Sequence, residues 1–368
     1  MAESRLHELS ELGQSVWIDY LSRRLVKEGE LEKLMREDAV VGVTSNPTIF
    51  QKAIAEGDAY DEQMREVLAE EDDAKEVFLK LAVKDVQDAC DLLRSVWDEG
   101  HGQDGYVSIE VDPNLAFDTD ATIAEAQRLH DLVDRPNCFV KIPATKDGIP
   151  AIEEMLARGR NINVTLIFSL QRYAEVVEAH LRGIERLVES GGDPSRVASV
   201  ASFFVSRVDT EADKRLDAIG GHDDLKGKLA VANAKLAYRK YKELFSGDRW
   251  EKLAAAGATT QRCLWASTST KNPEYRDVLY VEELIGPETV NTMPEETIDA
   301  FQDHGEVALT LEQGIDEAKR LFDQLAEVGV DYDDVTRVLE EEGVQKFADS
   351  FKELLDGVAE KRDALVAA

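Results

Sequence analysis

Short apolar runs recur along the chain with longer amphipathic stretches between them. The runs are VWID near residue 16, AVVGVTS near 39, YVSIEV near 106, CFVKIP near 138 and NINVTLIF near 161, then VASVASFFV near 197, CLWASTST near 263 and TVNTM near 289. Their β-branched and aromatic residues fit a pleated sheet, and together they predict eight strands. Between them apolar residues fall at helical spacing, as in Val77, Leu81, Val86, Ala89, Cys90, Leu93 and Trp97, or in Tyr173, Val176, Val177, Leu181, Ile184 and Val188. Alternation of this kind implies parallel strands joined by crossover helices. Eight repeats favour closure into an α/β (β/α)8 barrel, a TIM barrel, over an open doubly wound sheet.

One helix is expected before the first strand. A longer insertion, residues 208–262, separates the sixth and seventh strands and carries helical signals around Ala232, Leu236, Tyr241 and Phe245. Residues 305–368 read as a C-terminal helical cover, with Leu311, Ile315, Ala318, Leu321, Phe322 and Leu325 followed by Val344, Phe347, Phe351 and Leu354. No composition shift marks a second domain, so residues 1–368 are expected to form a single barrel domain. The acidic stretch AEEDD at 69–73 is most simply a solvated helix start.

Parallel strands covered on both faces should be apolar almost throughout, so polar residues inside them need a reason. Here there are many: Asp19 after Ile18, Glu110 between Ile109 and Val111, Lys141 between Val140 and Ile142, Asn163 and Thr165 around Val164, Ser202 before Phe203, and Ser267 after Ala266. Strand side chains alternate, so the apolar neighbours can face the outer helices while the polar groups point into the barrel. Most fall late in their strands, where the carboxyl ends of a barrel converge on one mouth. Asn46 joins them in the turn after the second strand. Any one could be an ordinary satisfied buried polar group, but two acids and a lysine inside one barrel are a different matter, since charges are rarely buried without a partner.

Lysine in such a place points to imine chemistry. A lysine amine made neutral by its surroundings attacks a carbonyl, and the protonated imine formed on loss of water draws electrons from the adjacent carbon–carbon bond. Aldol cleavage then needs no metal and no cofactor. His7, His101, His130, His180, His222 and His304 are scattered and offer no close pair of the kind that holds zinc. Gly100, Gly102 and Gly105 have the spacing of a dinucleotide fingerprint, yet they follow a helical pattern and precede a strand, the reverse of what that fingerprint requires. Lys146 lies beyond the strand that holds Lys141 and reads as exposed, while Cys138 reads as core.

Composition narrows the field. The chain has 368 residues, 43 basic and 75 acidic, for a formal charge of −32. Such a field repels nucleic acid and anionic membranes, and neither is expected as a partner. Three cysteines, Cys90, Cys138 and Cys263, are far apart and odd in number, which disfavours a disulfide framework and fits a reducing cytoplasm. The start, MAESRLHELSELG, lacks a basic segment followed by an apolar core, and no apolar run approaches the roughly 18–20 residues of a membrane helix. A cytoplasmic monomer or homodimer is expected.

In order and wording the motifs resemble those of the transaldolase family, the class I aldolases of the pentose phosphate pathway. The resemblance runs from about Trp17 to Thr270: TSNPTIF around Asn46, VSIEVDPNLAFDTDAT around Glu110, VKIPATKDGI around Lys141, NINVTLIFS around Asn163 and FFVSRVD around Arg207. It implies that Lys141 is the Schiff-base residue, that Glu110 and Thr165 handle the water of imine formation and hydrolysis, and that Asp19 shuttles the proton of the substrate hydroxyl. It further implies that Asn46, Asn163 and Ser202 bind substrate hydroxyls, that Phe204 walls the pocket, and that Arg207 grips a sugar phosphate. The partners would be small-molecule sugar phosphates. Many family members place an arginine two residues beyond the serine matched by Ser267; here that position is Ser269, and Lys271 stands two further on as the candidate second cation.

Two other readings compete. One is a simple aldolase that releases dihydroxyacetone rather than transferring it, and the other is a non-catalytic acidic scaffold. The joint presence of Lys141, Glu110, Asp19 and Arg207 weighs against the scaffold.

Overall fold

In the computed structural model, which describes residues 4–55 and 57–367, the apolar runs form a closed parallel barrel. Its strands are β1 (Gln14–Ile18), β2 (Val40–Val43), β3 (Tyr106–Glu110), β4 (Cys138–Pro143), β5 (Ile162–Ile167), β6 (Ser199–Phe204), β7 (Arg262–Ala266) and β8 (Thr289–Met293). They neighbour one another in sequence order, and β8 pairs with β1 to close the ring. Helices ring the outside, so this is a (β/α)8 barrel.

Side-chain caps fix where several helices begin. Ser4, Ser22, Asp118 and Ser169 each accept a backbone N–H in the first turn of the helix that follows, satisfying a donor with no partner inside the helix. Asp73, the last residue of the acidic stretch, does the same for Ala74–Leu92. That helix is shorter than its apolar periodicity predicts. It stops at Leu92 and a second helix, Arg94–Glu99, carries Val96 and Trp97, because apolar spacing alone does not register the break at Leu93. The Gly100–Gly105 loop follows this helix and leads into β3, a helix-to-strand connection.

The barrel interior is layered. On its lower level Tyr106 stacks on Phe139 with ring centroids 4.2 Å apart, and Trp17 lies 6.0 Å from Phe139. Gly42 makes room for them: a Cβ there would lie 2.5 Å from the Trp17 ring. At the amino end of the strands Arg262, Asp104 and Ser15 are bonded together beneath this layer. Above it, towards the carboxyl ends, the interior turns polar.

Between β6 and β7 run the helices Ser206–Ile219, Leu229–Leu244 and Gly247–Ala255. Residue 262, read from the sequence as the end of the insertion, is the first residue of β7. After β8 come Glu295–His304, Ile315–Glu327 and the 36-residue helix Tyr332–Ala367, which packs on Pro47–Ala55, Ala74–Leu92 and Ser206–Ile219 and touches β5.

Candidate active site

The barrel's register brings three of the flagged side chains into one row, because Glu110 of β3 pairs with Lys141 of β4, which in turn pairs with Asn163 of β5. Lys141 sits in mid-strand with its side chain 8% exposed, and Glu110 beside it is 6% exposed. The Lys141 Nζ donates to the Ser45 backbone carbonyl at 2.6 Å and to Glu110 Oε2 at 3.3 Å. Burial pushes the Glu110 carboxyl above its ordinary range; the charge and hydrogen bond of Lys141 oppose this, and nearby Asp19 adds to it.

Asp19 was expected inside the first strand. The strand ends at Ile18, yet the Asp19 N–H still donates to the Met293 carbonyl at 2.8 Å, so its carboxylate is held at the mouth. Thr44 Oγ1 donates to Asp19 Oδ1 at 2.7 Å, which leaves Thr292 to donate to Thr44, also at 2.7 Å. Burial raises the Asp19 carboxyl, against the pull of Lys141, the Thr44 hydrogen bond and Lys271. Two acids lifted in this way beside one lysine can take and return protons.

Asn163 is locked between neighbours: its Nδ2 donates to Ser108 Oγ at 3.2 Å and its Oδ1 accepts from Ser202 Oγ at 2.7 Å. Thr165 differs, for its hydroxyl is buried and has no hydrogen-bond partner among the described residues. Leu166, next along β5, has φ +58°, a left-handed backbone that locally shifts the β5–β6 register. Asn46 caps the helix Pro47–Ala55, its Oδ1 accepting the Ile49 N–H at 3.1 Å.

The cations stand on the β6–β7 side. Arg207 lies at the start of Ser206–Ile219, stacked 5.5 Å from the ring centroid of the buried Phe204. Its Nη1 is buried without a protein partner among the described residues, and desolvation lowers its pKa against the pull of Glu342. Ser267, at φ +56°, follows β7 and shares a 2.8 Å hydrogen bond with Ser206. Lys271 reaches the rim and donates to Ser269 Oγ at 2.7 Å; desolvation and then the Arg207 charge lower its amine. An arginine N–H that is buried and lacks a protein partner among the described residues, with a lysine near enough to feel its charge, is an arrangement chemically suited to an anion.

The model of the Transaldolase/Fructose-6-phosphate aldolase family matches residues 16–358. The chain is 54% identical to the transaldolase of Frankia alni over 359 residues, 97% of each chain. It is 55% identical to the transaldolase of Mycolicibacterium paratuberculosis over 355 residues, 95% of each chain. It is also 55% identical to the transaldolase of Acidothermus cellulolyticus over 355 residues, 96% of this chain and 95% of the relative.

This chain belongs to the transaldolase family.

It is accordingly a transaldolase-type enzyme, a transferase of the pentose phosphate pathway. The family match extends beyond the Trp17–Thr270 stretch that carries the motifs, through β8 and into the C-terminal helix Tyr332–Ala367. Several groups at this transaldolase-family mouth escaped the sequence reading: Thr44, which binds Asp19, and Thr292, which binds Thr44; the Ser45 carbonyl; and Ser108. Thr44, Ser45 and Ser108 are themselves polar residues in or beside apolar runs, so the signal was present. Cys138 is buried, its thiol pushed up to about 12 by desolvation, and Lys146 is exposed. Among the described residues no three His, Cys, Asp or Glu side chains cluster to hold a metal, and no helix is long and apolar enough to cross a membrane.

Proposed function

We propose that the enzyme moves a three-carbon dihydroxyacetone unit from sedoheptulose 7-phosphate to glyceraldehyde 3-phosphate through a Schiff base on Lys141, giving erythrose 4-phosphate and fructose 6-phosphate. The observation that carries this is the setting of the Lys141 amine: buried in mid-strand, between the Ser45 carbonyl and Glu110, within reach of the charge of Asp19.

Glu110, with its raised carboxyl, takes a proton from the lysine, and the free amine attacks the ketose carbonyl carbon. The carbinolamine loses its hydroxyl as water, protonated by Glu110, to leave a protonated imine. The buried Thr165 hydroxyl, without a protein partner among the described residues, is suited to hold that water. Asp19 accepts the proton of the C4 hydroxyl as the C3–C4 bond breaks; its electron pair flows to the imine nitrogen, and erythrose 4-phosphate leaves as the aldehyde. The enamine carbon then attacks the carbonyl of glyceraldehyde 3-phosphate, Asp19 returns the proton, and water hydrolyses the new imine to release fructose 6-phosphate. Asn46, Asn163 and Ser202 bind substrate hydroxyls, Phe204 and Ser267 line the pocket, and Arg207 with Lys271 holds the distal phosphate. The three buried free cysteines support a reducing, cytoplasmic setting.

Acceptor dependence tests transfer against simple cleavage. With fructose 6-phosphate as donor, turnover is expected to rise steeply on adding erythrose 4-phosphate; full-rate release of dihydroxyacetone without an aldehyde acceptor would overturn the transferase reading.

A further inference from the structure

The helix Ser206–Ile219, which bears Arg207, carries two aspartates one turn apart that this chemistry does not use. Asp209 is 1% exposed; its Oδ1 accepts the Ala230 N–H at 2.7 Å and its Oδ2 accepts the Tyr280 hydroxyl at 2.8 Å. Asp213 repeats the pattern: Oδ1 accepts the Gly227 N–H at 2.9 Å and Oδ2 the Tyr275 hydroxyl at 2.5 Å. Each carboxylate thus binds one backbone donor at or just before the start of Leu229–Leu244 and one tyrosine from the connection between β7 and β8. That connection also carries Lys271, and between Ala266 and the short helix Leu279–Glu283 it has no regular structure to hold its shape.

Three further features say that the placement is specific. Ser206 and Ser267 tie the two segments at their upper end through side chains at 2.8 Å and backbone at 3.0 Å, with Ser267 in a left-handed backbone that an L-residue adopts at some cost. Gly227 has φ +68°, and a Cβ there would lie 2.7 Å from the Tyr275 ring, so the tyrosine seats only against glycine. Burial of Asp209 is unfavourable for a carboxylate, so its two donors make up for lost water. Arg207 and Lys271 meanwhile carry like charges that repel: the Lys271 amine is lowered first by desolvation and then by the Arg207 charge. An irregular segment free to relax would separate them.

We propose that the Asp209–Tyr280 and Asp213–Tyr275 pairs form a positioning ladder that holds Lys271 beside Arg207, and so set the preference for substrates ending in a phosphate monoester. The inference rests on the reading of Arg207 and Lys271 as the phosphate site. Tyr275, Tyr280, Asp209 and Asp213 touch no substrate; they act by restraining the second cation, and Lys271 depends on them because a flexible point charge lacks the planar fork of an arginine.

The test is steady-state kinetics of Tyr275→Phe, Tyr280→Phe and Gly227→Ala with fructose 6-phosphate or unphosphorylated fructose as donor and unphosphorylated erythrose as acceptor. The expected result is a roughly tenfold rise in KM for fructose 6-phosphate, with kcat within about twofold and kcat/KM for fructose unchanged. The inhibition constant of inorganic phosphate should rise in parallel. In an Arg207→Ala, Lys271→Ala background the tyrosine changes should add nothing further. An equal loss on both donors, or an unchanged KM for fructose 6-phosphate while Arg207→Ala raises it, would overturn the ladder alone. If Arg207→Ala itself leaves that KM unchanged, the phosphate-site reading falls and the ladder with it. Gly227→Ala keeps both hydroxyls, so a shared phenotype with the tyrosine variants tracks displacement of the segment rather than a missing oxygen.

Discussion

Two ion pairs lie inside the same barrel and are built in opposite ways. At the amino end Asp104 accepts from Ser15 Oγ at 2.7 Å, Trp17 Nε1 at 3.0 Å and Arg262 Nη2 at 3.0 Å, while Arg262 also donates to Ser15 and to the Gln103 carbonyl. At the carboxyl end Lys141 and Glu110 meet at 3.3 Å, Glu110 is lifted above its usual range with Asp19 beside it, and the Thr165 hydroxyl lacks a protein partner among the described residues. The first pair is bonded into a network of protein donors and acceptors that closes the floor. The second leaves capacity open, as a site that must bind and exchange protons with a substrate requires.

Lys141→Met should separate the two most sharply. Turnover is expected to fall by several orders of magnitude, because nothing else supplies the imine, while the circular dichroism spectrum stays that of the folded barrel. Wild-type-like turnover in this variant would erase the distinction. Arg262→Met should do the converse. It strips Asp104 of its countercharge at a cost of roughly 3–5 kcal/mol, lowering Tm by about 4–6 °C, with kcat of the folded protein little changed. A variant as stable as the parent would show that the floor pair is dispensable.

Asp19→Asn probes the mouth by stability rather than rate. The folded Asp19 carboxyl titrates above its unfolded value, so the folded state keeps the proton over the window between the two, and stability falls as the pH rises through it. Removing the titration should raise Tm at neutral pH by roughly 1–3 °C and flatten this part of the pH profile, while transfer weakens. A lowered Tm at neutral pH with an unchanged profile would mean that Asp19 is a structural ion rather than a strained one.

Much of the mouth was legible in the sequence because a charge in a two-face-buried strand stands out: Lys141 and Glu110 could be named from their apolar neighbours alone. Arg262 is just as buried, yet it opens its strand, where a charge reads as a boundary, and so it was assigned to the preceding insertion. Asp104 lies in a glycine-rich loop and gave no periodic signal. The Ser45 carbonyl is backbone and carries no sequence mark at all. Thr292 matters through a hydroxyl passed along from Thr44, a relation between β2 and β8 that exists only once the barrel has closed. The tyrosines of the ladder are of the same kind, for nothing near Tyr275 or Tyr280 in sequence points to Asp213 or Asp209. Strand positions could thus be read locally, whereas the partners that set their chemistry depended on closure.

The most direct test of the central claim is reductive trapping. Fructose 6-phosphate is added to the protein, the imine is reduced with borohydride, and the digest is mapped by mass. A single dihydroxyacetone or hexose phosphate adduct on Lys141, absent in Lys141→Met, is the expected result; an adduct on another lysine such as Lys146 or Lys271, or none at all, would contradict it.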